Sequence, residues 1–226
     1  MGLLTLDEFI ENIKLNFGDN TAWATPTDFY TRWFNRAYIR LTTQDKFWGI
    51  RRSFYFPQLE TSTTADTADG TAYISTPTDA LIVRNLYDTT NNYFLNNISP
   101  RKYAEYTDRA NTDMEGKPTE WVRQGGYLYL HSTPDDAYTI GIYYRMIPAV
   151  LATGAETTAI GAEWDEPLIA LACAIGKQDT MDYEAAKIYR EEFKDQVQGI
   201  LTIYGQEEAS RDERIHVHEA YRDRSY

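Results

Sequence analysis

The chain has 226 residues, 42% of them apolar and 14% aromatic, which is enough to bury a sizeable core and excludes a disordered polar chain. Its 22 basic residues stand against 34 acidic ones, a formal net charge of -12, so it lacks the basic excess by which a general nucleic-acid binder displaces counterions from phosphates. A single cysteine excludes an internal disulfide and any cysteine-based zinc site.

No apolar run approaches membrane-spanning length, and the opening Met1-Gly2-Leu3-Leu4-Thr5 has no secretory pattern. A soluble globular protein assembled in a cytoplasm is expected, with no membrane partner. Cys173 lies among Leu171, Ala172, Ala174 and Ile175, the setting of a buried, inert thiol. The acidity has two readings: it keeps the protein soluble, or it lets DNA slide past a surface that does not hold phosphates.

The first elements are helical. Thr5 and Glu8 make a capping box, and Leu6, Phe9, Ile10, Ile13 and Phe17 recur at helical spacing until Gly18-Asp19-Asn20 stops the run. Thr25-Pro26-Thr27-Asp28 opens a second helix, whose apolar face is Phe29, Trp33, Phe34, Ala37, Tyr38 and Leu41. From about Trp48 the pattern changes to short β-rich stretches: Ser53–Phe56, Ala72–Ser75, Leu81–Tyr87, Tyr93–Ile98, Glu120–Arg123, Tyr127–His131 and Tyr138–Arg145. Asp88-Thr89-Thr90-Asn91-Asn92 and Gln124-Gly125-Gly126 read as hairpin connections. Ser99-Pro100 caps a short helix holding Tyr103 and Tyr106, and Thr61–Gly70 reads as a polar loop.

After Pro148 and a small-residue crossing from Ala152 to Ala162, Glu163-Trp164-Asp165-Glu166-Pro167 starts a third helix with acidic residues near its positive end. Its apolar stripe is Trp164, Leu168, Leu171, Ala172 and Ile175. Asp179 to Asp182 makes a turn into a fourth helix carrying Tyr183, Ala186, Tyr189, Phe193, Val197, Ile200, Leu201 and Tyr204, with Gly205 ending it. The expected fold is therefore α+β: an antiparallel helical bundle of two N-terminal and two C-terminal helices, interrupted by an antiparallel β-sandwich or barrel-like insertion, with an extended C-terminal arm. The expected parts are an N-terminal helical pair (1–46), a β-rich insertion (47–150), a C-terminal helical hairpin (151–204) and a docking arm (205–226).

Catalytic and metal-binding patterns are weak. His216-Val217-His218 offers two imidazoles but no third ligand, and His131 has no nucleophile to serve, so it reads as a rim residue. Asp135-Asp136 is turn-like and Asp165-Glu166 starts a helix; structural roles explain both pairs. Gly125-Gly126 has the setting of a hairpin, not of a phosphate loop. No enzyme activity, cofactor or metal is expected.

The segments Leu6-Asp7-Glu8-Phe9-Ile10 and Phe34-Asn35-Arg36-Ala37-Tyr38, the run from Trp164-Asp165-Glu166-Pro167-Leu168 to Cys173-Ala174, and Glu184-Ala185-Ala186-Lys187-Ile188-Tyr189 to Glu192-Phe193 give the chain its likeness. In this order of elements it resembles the head-to-tail adaptor, or head-completion, family of tailed phages. The resemblance implies a virion protein at the head–tail junction: a twelve-fold ring beneath the portal protein that extends the DNA channel and offers its lower face to a tail nozzle or tail-tube protein. Genomic DNA would pass through without specific binding. It also implies that the C-terminal arm docks on portal, with Ile215, Val217 and Tyr221 as apolar anchors and Arg211, Arg214, Arg222 and Arg224 pairing with portal carboxylates; Tyr226 completes the set. Ordering such an arm costs conformational entropy that the contacts must exceed; the other reading of the segment is a frayed, solvated tail.

Two other readings use the 18 tyrosines. A carbohydrate-binding or cell-wall-active β module predicts exposed aromatics in a row on the insertion, with a carboxylate pair facing a cleft if it is an enzyme. A tail-tube or neck subunit keeps the virion setting and changes the partner.

Overall fold

A computed structural model of the chain describes residues 3–18, 27–44, 54–107 and 114–222, the stretch from 204 onward as backbone. They divide into a helical unit formed by the two ends of the chain, 1–54 and 150–226, and a β unit formed by its middle, 55–149.

In the helical unit, α1 (Leu6–Phe17) starts at the capping box that its sequence announces: the Glu8 amide donates to Thr5 Oγ1, and the Thr5 amide donates to the Glu8 carboxylate. Gly18 ends it in the left-handed region, at φ 67°. The second helix, α2 (Thr27–Thr43), packs its aromatic face on α1, with the Phe9 and Phe34 ring centroids 4.5 Å apart and Phe17 stacked on Trp33 at 5.1 Å. The Thr25-Pro26 opening lies outside the described residues.

A 3-10 turn (Ala162–Trp164) precedes α4 (Asp165–Asp179). This helix buries far more than the expected stripe, since every residue from Pro167 to Gly176 is inaccessible. Small side chains at Ala170, Ala172, Cys173, Ala174 and Gly176 allow α1, α2 and the long closing helix of the chain to pack on it. Gly176 shows how close: a Cβ there would lie 2.6 Å from the Phe17 ring and 2.7 Å from the Trp33 ring.

The turn at Thr180–Asp182, with Met181 at φ 63°, leads into α5 (Tyr183–Arg222). The expected stop at Gly205 does not occur, because a mid-helix glycine costs only about 1 kcal/mol and good helix formers stand on both sides of it. The expected arm is thus helical through Arg222. Ala186, Phe193 and Val197 are buried, whereas Tyr183, expected on the apolar face, is 64% exposed.

The β unit is a seven-stranded, barrel-like sheet in the order β1-β7-β3-β4-β5-β6-β2, and its edge strands β1 and β2 approach each other so that it nearly closes. The strands are β1 (Glu60–Asp66), β2 (Tyr73–Ser75), β3 (Ala80–Asp88), β4 (Tyr93–Asn97), β5 (Glu120–Gln124), β6 (Tyr127–His131) and β7 (Thr139–Met146). Side chains such as Leu86, Trp121, Leu128, Ile140 and Ile142 fill the interior.

Both expected hairpins form. Asp88 accepts from the Asn91 amide and side chain in the β3–β4 turn, and Gly125 takes φ 57° between β5 and β6. The short helix α3 (Pro100–Thr107) is also present, with the Lys102 amide donating to Ser99 Oγ at 3.2 Å.

Three details differ from the sequence reading. The polar stretch from Thr61 is an edge strand in register with β7, not a loop: its β-branched threonines suit a pleated surface, and an edge strand needs few apolar residues. Phe54–Phe56 is not a strand; both phenylalanines are buried, and Ser53 lies outside the described residues. One pair, β4 with β5, is parallel, because the connection through α3 is a crossover and not a tight turn.

Candidate functional site

The residues expected to dock on portal are carried by one element. Arg211, Arg214, Ile215, Val217, Tyr221 and Arg222 occupy the last three turns of α5, while Arg224 and Tyr226 lie outside the described residues. On a continuous helix, positions 211, 215, 218 and 222 fall on one line over about 17 Å. The extended chain that would set His216 and His218 on one side is replaced by helix, where positions two apart diverge. Among residues 3–203 that are described with side chains, no group of three or more His, Cys, Asp or Glu could hold a metal ion.

The base of α5 is firmly held. Tyr189 donates its hydroxyl to the Asn16 carbonyl at 2.7 Å, and Phe193 and Val197 pack inward. Asp179, at the end of α4, accepts from Trp33 Nε1 at 3.1 Å and from the Arg36 guanidinium at 3.1 Å, which ties α2 to the start of the closing hairpin. One residue before Arg36, Asn35 bridges the Leu151 backbone, donating to its carbonyl and accepting from its amide at 2.8 Å each.

The titratable groups that might suggest chemistry are engaged in structure. Burial pushes the Cys173 thiol up to about 12, so it is protonated and inert. Asp135 accepts from the Tyr138 hydroxyl at 2.6 Å and Asp136 from the Ala137 amide at 2.7 Å, so that pair shapes a turn. His131 stacks on Tyr106 with centroids 4.2 Å apart. Asp165 accepts from the Leu4 amide at 3.2 Å, while its second oxygen is buried with no hydrogen-bond partner. Burial, with Glu163, Glu166 and Glu8 nearby, raises its carboxyl to about 6 even though the Leu4 amide opposes the rise.

Two surface features remain. On the β unit, Tyr87, Phe94 and Tyr143 touch in a row drawn from β3, β4 and β7, with centroids 4.8 and 6.4 Å apart. Phe94 and Tyr143 border an open cleft of about 950 Å³ that also takes in Tyr55 and the Arg84–Glu60 ion pair. On the helical unit, Phe29, Arg32, Arg36 and Arg40 recur along α2 at three- and four-residue spacing, a cationic line in an acidic chain. That spacing was visible in the sequence; the aromatic row was not, since its members are distant in the chain.

The SU10 adaptor protein family matches the chain over residues 4–217, from just before α1 through most of α5. The chain belongs to that family. It is a phage head-to-tail adaptor family, so this adaptor is a structural virion component. None of the curated proteins matches it. The adaptor's described helices include none long and apolar enough to cross a membrane.

Proposed function

We propose that this adaptor forms a ring, dodecameric as the family resemblance implies, beneath the portal protein, extends the DNA channel and offers the attachment surface for a tail nozzle or tail-tube protein. The family match over residues 4–217 carries this reading. The helices of the two chain ends make the ring body, the β unit offers the tail-facing surface, and the end of α5 docks on portal. Arg211, Arg214, Arg222 and Arg224 pair there with carboxylates around Ile215, Val217, Tyr221 and Tyr226.

The proportions of α5 support the docking role. It has 40 residues against 15 in α4, its hairpin partner, so its C-terminal half runs well past the helix that pairs with its base. Helices gain most of their stability from packing, and a portal surface would supply a face for this half to pack on. The acidic composition suits a channel through which DNA moves without adhesion.

The test is co-sedimentation of the purified chain with portal rings, beside a version truncated after Tyr204, with bound species imaged by electron microscopy. Rings on portal for the full chain and none for the truncation are expected. If neither version binds, the adaptor function proposed here is wrong.

The Tyr87–Phe94–Tyr143 row favours a second reading, a carbohydrate-binding surface on the β unit, because exposed ring faces can stack on sugars. Of the residues lining the cleft only Glu60 carries a carboxylate, and it is tied to Arg84 at 3.1 Å, so the enzymatic version of this reading has no support in the cleft. Glycan binding by the isolated chain, lost in Phe94→Ala, would favour the second reading.

A further inference from the structure

Two helices of the helical unit carry exposed faces of opposite charge. Along α2, Phe29, Arg32 and Arg36 are exposed and Arg40 is half-buried, all within one face of the helix. The Arg32 guanidinium sits 5.4 Å from the Phe29 ring centre, and Arg36 reaches Asp179 of α4. Arg190 comes near enough to Arg40 that the two cations, with Arg36, oppose each other's charge. Along α5, Glu184, Ile188, Glu192, Asp195, Gly199 and Ile203 recur at four, four, three, four and four residues, and all six are exposed. Ile188 is 67% and Ile203 60% accessible.

Gly199 adds a steric observation: a Cβ built there meets nothing within 4 Å, so no packing inside the subunit requires glycine at that point. Glycine in a helix interior is unfavourable by about 1 kcal/mol, and what it provides is room for another backbone to approach. The acidic face therefore has apolar residues near both ends, carboxylates between, and a position where a second helix can come close. The α2 face has an apolar residue at one end and arginines after it. From Phe29 to Arg40 is about 17 Å and from Ile188 to Ile203 about 22 Å at 1.5 Å per residue, so one covers most of the other.

We infer that the α5 face of one copy binds the α2 face of the next copy, and that this contact is the lateral joint of the ring. The inference rests on the ring proposed above and names its interface. A contact that uses a different face on each copy leaves one free face of each kind at the ends of a row, and the row ends only by closing. Two like faces cannot pair, because arginines would meet arginines and carboxylates would meet carboxylates.

Charge reversal in three preparations tests this on portal rings. One carries Arg32→Glu with Arg36→Glu, the second carries Glu192→Arg with Asp195→Arg, and the third carries all four changes. Arg32→Glu alone serves as a milder variant that disturbs no ion pair within the subunit, and thermal melting checks that each chain folds. Each two-site variant should need at least about tenfold more protein to complete rings than the natural chain. An equimolar mixture of the two, and the four-site variant, should recover, since every joint again sets opposite charges together. Rings that form equally well from every folded variant would overturn the inference while leaving the ring intact. Loss of portal binding with no recovery in the mixture would also overturn it, assigning the faces to portal. A natural chain that forms no rings on portal would sink the ring reading and this joint together.

Discussion

Asp165 offers the sharpest test of how the helical unit is held together. Its carboxyl is raised from 3.8 to about 6, chiefly by burial. Because the folded carboxyl is raised, the folded state holds the proton more tightly than the unfolded chain. Its contribution is most favourable below about pH 4, declines as pH rises toward 6, and stays unfavourable above that. At about 1.4 kcal/mol per pH unit the full cost of ionising Asp165 is about 3 kcal/mol, and solvent near the mouth of the site lowers this toward 1. Asp165→Asn removes the ionisation and keeps an oxygen for the Leu4 amide. Any cost of accommodating the amide nitrogen is the same at every pH, so the informative quantity is the change in the stability gap between variant and natural chain. Denaturant unfolding at pH 4 and pH 8 should show the gap moving by about 1–3 kcal/mol in the variant's favour at the higher pH. A gap of equal size at both values would refute the assignment of a buried, destabilising carboxylate at this position.

Three other changes probe the packing. Gly176→Ala drives a methyl into the Phe17 and Trp33 rings and should cost about 1–3 kcal/mol, read as a fall in melting temperature. Asn35→Ala removes both hydrogen bonds to Leu151 and should cost about 1–3 kcal/mol through the stranded backbone groups; Asn35→Asp keeps the acceptor for the Leu151 amide but sets a carboxylate oxygen against the Leu151 carbonyl, and should cost at least as much. Phe193→Ala opens a cavity at a fully buried site on α5; a loss of about 3–5 kcal/mol by denaturant unfolding is expected, and a loss under 1 would mean that α5 is not anchored there.

Elements with local signals were legible in the sequence. The Thr5–Glu8 box, the Asp88–Asn92 turn and the Ser99-Pro100 start each rest on side chains that hydrogen-bond within a few residues of themselves. What depended on distant partners was not legible. The threonines of β1 read as loop because their strand character comes from pairing with β7, and the helix α4 read as a stripe because its other faces are covered by helices from both ends of the chain. Gly205 was read as a stop from its local propensity alone, yet the helix carries through it. The arginine line on α2 is present in the spacing, interleaved with the apolar positions that dominate the helical pattern, and the aromatic row needs three strands to assemble.

The distribution of burial limits where an adaptor of this design can meet its neighbours. With Pro167 to Gly176 enclosed on all sides, α4 has no central face to offer, and α1 turns Phe9, Ile10 and Ile13 inward. The outward helix surfaces that remain belong to α1, α2 and α5, and those of α2 and α5 carry the charged lines of opposite sign. Joints made from such faces are weak one at a time and are screened by salt, so under the proposed function a free copy has little tendency to pair in solution. Docking many copies through α5 on a ring already present changes that balance, because each lateral contact becomes intramolecular and gains the effective concentration of its tethered neighbours. On the proposed function, the same polar faces that give a free copy little tendency to pair would then close the ring on its template.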